Sequence, residues 1–245
     1  MDRNQKLFYR ISFQGLSRLV TGNVIPTEGE GAENVPTDRS ALIVCNHRCW
    51  IDPFFLIKFI VKPIHFMGLD MHFDMPGVRK FCENVGMISV NIEGGSKSKA
   101  CIDAAVDILT GEKPELVGIF PEGVSNFLSP SENPRVIRFH TGFARIAIAA
   151  RVPIVPCAVV GYGEHLLVDI PGPLMGIVSN LRQFKHGAKL LAYDRVKVRI
   201  GKPMEFSEYY GREPDKDILH DIASRVRGII LDMYNRELAK EEKIL

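Results

Sequence analysis

No run in this 245-residue sequence reaches the ~18 uninterrupted apolar residues that a membrane-spanning helix requires. Charge of one sign is scarce too. The 31 Lys and Arg against 29 Asp and Glu leave a net +2, so no overall field points to nucleic acid as a partner. Cysteine is sparse and odd in number. Cys45, Cys49, Cys82, Cys101 and Cys157 show no paired metal-ligand spacing, and no secretory signal pattern precedes them. They read as reduced cytosolic thiols that fill a core. Signatures of a resident nucleophile are missing as well: there is no G-x-S-x-G elbow and no Cys with a flanking catalytic pattern. Gly94-Gly95-Ser96-Lys97 lacks the spacing of a P-loop, and Gly161-Tyr162-Gly163 lacks the third glycine of a dinucleotide fingerprint. Internal repeats and low-complexity segments are also absent.

What is present suits one well-filled core, since 46% of the residues are hydrophobic and the length need not be divided. At the start, Leu7, Phe8, Ile11, Leu16, Leu19 and Val20 recur at roughly helical spacing among Arg3, Lys6, Arg10 and Arg18. Such a basic amphipathic helix either lies in a lipid interface or docks on its own protein's core. Residues 26–40 read as a polar loop, which divides the chain into an N-terminal helix (1–25) and a main body (26–245).

Along the body, apolar runs at Ala41–Cys45, Pro63–Met67, Gly86–Val90, Leu116–Phe120 and Ile154–Val160 predict strands, and Val196, Val198 and Ile200 alternate as in a half-exposed one. Helices are predicted after Pro53, from Lys97 to Leu109, over Gly142–Ala150 and from Asp215 onward. The last buries Ile218, Leu219, Ile222, Val226, Ile229, Ile230 and Met233. Strands and helices alternate, so the class is α/β: a mixed, largely parallel sheet flanked by helices, with an N-terminal amphipathic helix.

His47 directly follows one predicted strand and Glu122 directly follows another, and open α/β sheets bind ligands beyond the carboxyl ends of their strands. Asp52 stands five residues after His47, across a loop-to-helix turn. That spacing lets a carboxylate take the Nδ1 proton and leave Nε2 as a base, the orienting logic of hydrolase triads. A base without a nucleophile of its own fits direct attack by a substrate hydroxyl. A second pair of equal spacing, His65 and Asp70, has no Pro-initiated helix after it and reads as structural. The Gly94–Lys97 stretch is either an anion site at a helix N-terminus or a plain helix start.

Four blocks then occur in one order: Asn46-His47-Arg48-Cys49-Trp50-Ile51-Asp52, Gly86-Met87-Ile88-Ser89-Val90-Asn91-Ile92, Phe120-Pro121-Glu122-Gly123 and Val152-Pro153-Ile154-Val155-Pro156. Together they resemble the glycerophosphate and lysophosphatidate acyltransferase family, whose patterns are N-H-x-x-x-x-D, G-x-x-x-x-[DN]-R, F-P-E-G and V-P-I-V-P. The resemblance implies a general-base His47 oriented by Asp52, and an acyl-CoA or acyl-carrier-protein thioester as donor. It implies a lysophospholipid or glycerol phosphate as acceptor, with no cofactor beyond the acyl donor. Glu122 and Gly123 would belong to the acceptor site and Pro156 to the donor side. The chain would work peripherally, on the cytoplasmic face of a membrane.

Two departures bear on the acceptor. The arginine of the second block falls at Ile92, and the family's T-R-S after the third block is Val124-Ser125-Asn126 here. Ser125 is accordingly a substrate-side candidate, and Lys97, Lys99, Arg135, Arg138 and His140 are the cations that would replace the missing phosphate ligands. Two rival readings are a catalytically silent lipid-binding or tethering module of the same fold, and a metal-dependent hydrolase built on His65, Asp70, His72 and Asp74.

Overall fold

A computed structural model describes residues 1–70, 73, 77–90, 96–123, 136–174 and 187–241. The chain starts with a helical stretch made of two α segments, Arg3–Phe8 (α1) and Gly15–Leu19 (α2), each followed by π-helical turns over Tyr9–Gln14 and Val20–Val24. Its inner face is Tyr9, Phe13, Ser17 and Thr21, a four-residue step that the wider turns keep in line. The Phe13 ring meets Phe54 edge-on at 4.9 Å, and Tyr9 Oη accepts the Ile64 amide. The apolar stripe evident in the sequence faces the other way: Leu7, Ile11, Leu16 and Leu19 are exposed. The helix docks on the core by one face, as one of its two sequence readings expects, and presents a second, apolar face outward. Among the described residues no helix is long and apolar enough to cross a membrane.

Next come Thr27–Glu30 (β1), Ala41–Cys45 (β2), the helix Asp52–Phe59 (α3), Ile64–Leu69 (β3), the helix Val78–Asn84 (α4) and Ile88–Val90 (β4). They are followed by the helix Ser96–Leu109 (α5), Leu116–Ile119 (β5), the helix Gly142–Ala150 (α6) and Ile154–Tyr162 (β6). The described elements end with His165–Ile170 (β7), Ala188–Ala192 (β8), Arg195–Ile200 (β9) and the helix Lys216–Glu241 (α7). Seven strands form one sheet in the order β1-β9-β6-β2-β5-β3-β4, and β7 pairs with β8 in a separate ribbon. Among the described strands of this sheet only the β6–β9 pairing is antiparallel. The expected mixed, largely parallel α/β sheet is the observed one.

Central strands of a parallel sheet are covered on both faces and so read as unbroken apolar runs. All of β2 and β6 is buried. Alternation then sorts each strand between two layers. Leu42 and Val44 join a cluster with α5, α6 and α7, while Ile43 and Cys45 face Phe55 of α3 and Tyr9. All five cysteines are buried and free, as their reading as core thiols requires.

Three expectations need correction. Residues 26–40 are not wholly a loop, since β1 runs parallel to β9 at the sheet edge with Thr27 opposite Val196. Its sequence Thr-Glu-Gly-Glu offers no apolar alternation, and its contribution is backbone pairing. The β7–β8 ribbon was not anticipated at all. On α7, Ile229 is exposed; the buried line runs Val226, Ile230, Tyr234, two four-residue steps that pass it by.

His65, the decoy histidine, is buried on β3, and its Nδ1 lies 2.7 Å from the Gly86 carbonyl. Gly86 has φ +69°, and a Cβ there would approach that same nitrogen to 2.9 Å, so glycine is required on both counts. Burial first, only partly offset by the Gly86 bond, holds the His65 pKa below its usual value. A lowered histidine pKa means that its stabilising contribution is complete above about pH 6.5, the unfolded value, and is lost as pH falls through the folded one. We expect the denaturation midpoint of the wild type to drop between pH 7 and 5, and His65→Gln to flatten that drop. Parallel slopes for the two proteins would contradict this assignment.

Candidate active site

Parallel pairing puts the carboxyl ends of β5, β2 and β6 side by side, and three loops leave the sheet there. The first carries Asn46 and His47. Asn46 is buried and locked to the neighbouring strand by a reciprocal amide pair: its Nδ2 donates to the Val159 carbonyl at 3.0 Å, and the Val159 N–H donates to its Oδ1 at 2.9 Å. This bond aims the following residue out over the sheet edge. Removing it by Asn46→Ala strands a buried donor and acceptor, each worth about 1–3 kcal/mol. We expect a loss of about 2–4 kcal/mol in urea unfolding; a loss under about 1 kcal/mol would show that the loop is held elsewhere.

Asp52 opens α3 and is wholly buried. Its Oδ2 lies 3.0 Å from His47 Nδ1 and also accepts the backbone N–H groups of Arg48 and Cys49, both at 2.8 Å. The carboxylate is thus fixed by two amides before it meets the imidazole. A carboxylate oxygen can only accept from Nδ1, so it selects the tautomer protonated there and leaves the lone pair on Nε2. The His47 ring stacks on Phe120 at 4.3 Å, and Phe120 stacks in turn on Phe66 at 5.8 Å, an aromatic wall that sets the ring plane. With 15% of its side chain accessible, His47 is the exposed member of the pair.

Glu122 leaves β5 in the adjacent loop. It is 1% exposed; Oε2 accepts the His47 amide and Oε1 the Ile137 amide, each at 3.3 Å. It is therefore a strut between the His47 loop and the segment 136–140. Gly123 follows at φ +63°, a conformation that explains glycine there. The His140 amide bonds the Pro121 carbonyl at 2.8 Å, so exposed Arg138 and His140 belong to the segment clasping the Glu122 turn. Lys99 is exposed on α5, which starts after β4 runs out at the same sheet edge. The side chain of Lys97, together with Ser125 and Arg135, lies outside the described residues. Pro156 sits inside the sheet, opposite Val44 and accepting the Gly201 amide, rather than at a strand edge.

Sequence reasoning missed the third loop. Arg48 and Glu164 are almost buried, and Arg48 Nε lies 2.8 Å and 2.9 Å from the two carboxylate oxygens. The pair ties the residue after His47 to the end of β6. Its partners stand 116 residues apart, and no local pattern signals it.

Cys45 and Cys49 flank His47 at two residues' distance in the sequence, which invites a thiol mechanism. Burial, reinforced for Cys45 by Cys157 and then Asp52 and for Cys49 by Asp52, pushes both thiols well up. Cys49 Sγ is further committed to the Leu191 carbonyl at 2.8 Å. Neither supplies a thiolate at neutral pH. As for the metal reading, His65 is bonded to Gly86, His72 and Asp74 fall outside the described residues, and no group of three potential ligands gathers among the described ones.

Residues 27–160, which carry these parts, match a family model described as Acyltransferase. The chain belongs to the acyltransferase family. Relatives include an uncharacterized protein of Mycobacterium tuberculosis, 26% identical over 89% of this chain. Another is the 1-acyl-sn-glycerol-3-phosphate acyltransferase of Bacillus subtilis, 25% identical over 83% of this chain and 86% of its own length. The chain spans 63% of the length of the mycobacterial protein. Among solved structures, the 1-acyl-sn-glycerophosphate (LPA) acyltransferase PlsC of Thermotoga maritima superposes with a TM-score of 0.63, covering 96% of this chain and 83% of that one. At 19% identity this likeness speaks to the fold. The family match encloses His47, Asp52, Glu122 and Gly123, and ends before Glu164 and the β7–β8 ribbon.

Proposed function

We propose that this family member transfers a fatty acyl group from an acyl-CoA or acyl-carrier-protein thioester to a hydroxyl of a lysophospholipid or glycerol phosphate. The observation that carries this reading is the His47–Asp52 pair at the sheet's carboxyl edge, fixed in the tautomer that bears its lone pair on Nε2. In the reaction His47 Nε2 takes the acceptor hydroxyl proton as the oxygen attacks the thioester carbonyl. The tetrahedral intermediate then breaks its C–S bond, and the imidazolium returns the proton to the departing thiolate. Asp52 stabilises the imidazolium in between without itself becoming protonated. Every step uses side chains alone, and the acyl donor is a co-substrate rather than a cofactor.

The acceptor's phosphate would meet cations other than the family's two arginines. Arg138 and His140 sit on the segment that Glu122 holds beside the base, and Lys97 and Lys99 open α5, whose N-terminus favours anions. Double variants Arg138→Ala/His140→Ala and Lys97→Ala/Lys99→Ala, compared on lysophosphatidate and lysophosphatidylcholine, separate the two sites. A KM increase confined to lysophosphatidate identifies the pair that holds a phosphomonoester. No change in either variant rules out both pairs and leaves Arg135 as the remaining candidate for a phosphomonoester.

The outward stripe of the N-terminal helix, with Arg10 and Arg18 exposed beside it, supports peripheral attachment at the cytoplasmic face of a membrane. Deleting the helix would strip Tyr9 and Phe13 from the core, so point changes are the cleaner probe. We expect Ile11→Asp/Leu19→Asp to reduce co-sedimentation with anionic vesicles severalfold without lowering the unfolding midpoint, and salt to weaken wild-type binding. Equal sedimentation of the two proteins would refute this role for the helix.

A further inference from the structure

The chemistry above makes no use of the β7–β8 ribbon. Leu166, Leu167 and Val168 on β7 are consecutive apolar residues exposed by 50%, 55% and 43%. In a regular strand, neighbouring side chains point to opposite faces. Here the register slips between Leu166 and Val168, so Leu167 has no partner on β8, and a bulge of this kind re-aims its side chain. A two-stranded ribbon is marginal on its own in water. This one is fastened to the base-bearing loop twice, by Arg48 to Glu164 and by Cys49 Sγ to the carbonyl of Leu191, the register partner of Leu166. The next residue of that loop is Trp50, the single tryptophan of the chain, and it is 48% exposed.

Apolar side chains grouped this way mark a contact surface. Building on the acyltransferase reading, we propose that Trp50 and the Leu166–Val168 bulge form a second lipid-contacting surface, which seats in a bilayer interface and carries the base-bearing loop to its acceptor. The occupant is lipid because the group next to this surface would act on lipid, and because an indole is at home where apolar and wet regions meet. Charge agrees. Asp169 and Lys189 are register partners and cancel, so the ribbon brings no net charge from this pair to an apolar surface. The N-terminal helix, by contrast, carries exposed arginines, which makes its contact salt-sensitive while that of the ribbon is not.

As the only indole, Trp50 reports on the contact directly. The full chain is titrated with phosphatidylcholine/phosphatidylglycerol vesicles whose acyl chains are brominated. We expect a blue-shifted, bromine-quenched Trp50 emission and at least about a threefold fall in quenching by iodide. Leu166→Ser/Leu167→Ser, folded by circular dichroism, should still co-sediment through the N-terminal helix but lose most of the shift. Its kcat/KM on a vesicle-borne acceptor should fall about tenfold further than on a short-chain soluble one. Vesicle-bound protein whose Trp50 stays as open to iodide as in buffer overturns the surface and leaves the acyltransferase reading intact. Shielding that grows with protein concentration in the absence of lipid assigns the surface to a second copy and also overturns it, as does failure to bind vesicles at all. A lipid-shielded Trp50 in a protein without acyl transfer sustains the surface and sinks the enzymatic reading alone.

Discussion

Replacing His47 by alanine is expected to cut acyl transfer by about 10²–10⁴-fold, the usual contribution of a positioned general base. The loss should fall on kcat more than on KM, because in the proposed reaction the imidazole acts on the hydroxyl in the transition state rather than holding the acceptor. The fold should survive, since the ring is partly accessible and its backbone amide, bonded to Glu122, is unchanged by the substitution. Steady-state rates together with the thermal midpoint check both halves. His65→Ala serves as the contrast: it removes a buried ring bonded to Gly86 and should lower the midpoint while sparing kcat in the folded fraction.

Asp52→Asn is expected to be nearly as damaging, by about 10²–10⁴-fold, and for a different reason. Asp52 Oδ2 accepts from the Arg48 and Cys49 amides and from His47 Nδ1. An asparagine oxygen kept at the Oδ2 position still accepts from the two amides and from Nδ1, so the tautomer is kept, but the negative charge that stabilises the imidazolium is gone. The pH–rate profile separates this from simple loosening of the loop. Loss of the stabilising charge requires a kcat that stays low at every pH, whereas a loosened loop would raise KM and leave the profile's shape unchanged. An Asp52→Asn variant within about fivefold of wild type would refute the electrostatic role of Asp52.

How much of this was visible in the sequence follows from how each element is stabilised. β2, β5 and β6 were legible because strands buried on both faces must be apolar throughout, and the residues that end them, Asn46-His47 and Pro121-Glu122, interrupt those runs sharply. His47 and Asp52 were legible because one short turn joins them. β1 escaped because an edge strand can be held by backbone pairing alone, with Glu28 and Glu30 facing Lys197 and Arg199 across the ladder. Arg48–Glu164 and Asn46–Val159 escaped because their partners meet only after β6 has paired with β2, more than a hundred residues later. Glu122 stands out in the sequence for its position after β5, but its place as a buried strut depends on the Ile137 amide, which no spacing in the sequence reveals.

The central claim is that His47 moves an acyl group from a thioester to a lipid hydroxyl. It is tested most directly by mass spectrometry of the products formed from an acyl-CoA and a panel of lysophospholipids, with free thiol counted in the same reaction. The account predicts one acylated acceptor per thiol released, and the loss of both together in His47→Ala. Thiol release matched by free fatty acid with no acylated acceptor, or acylated acceptor formed at wild-type rate by His47→Ala, would contradict it.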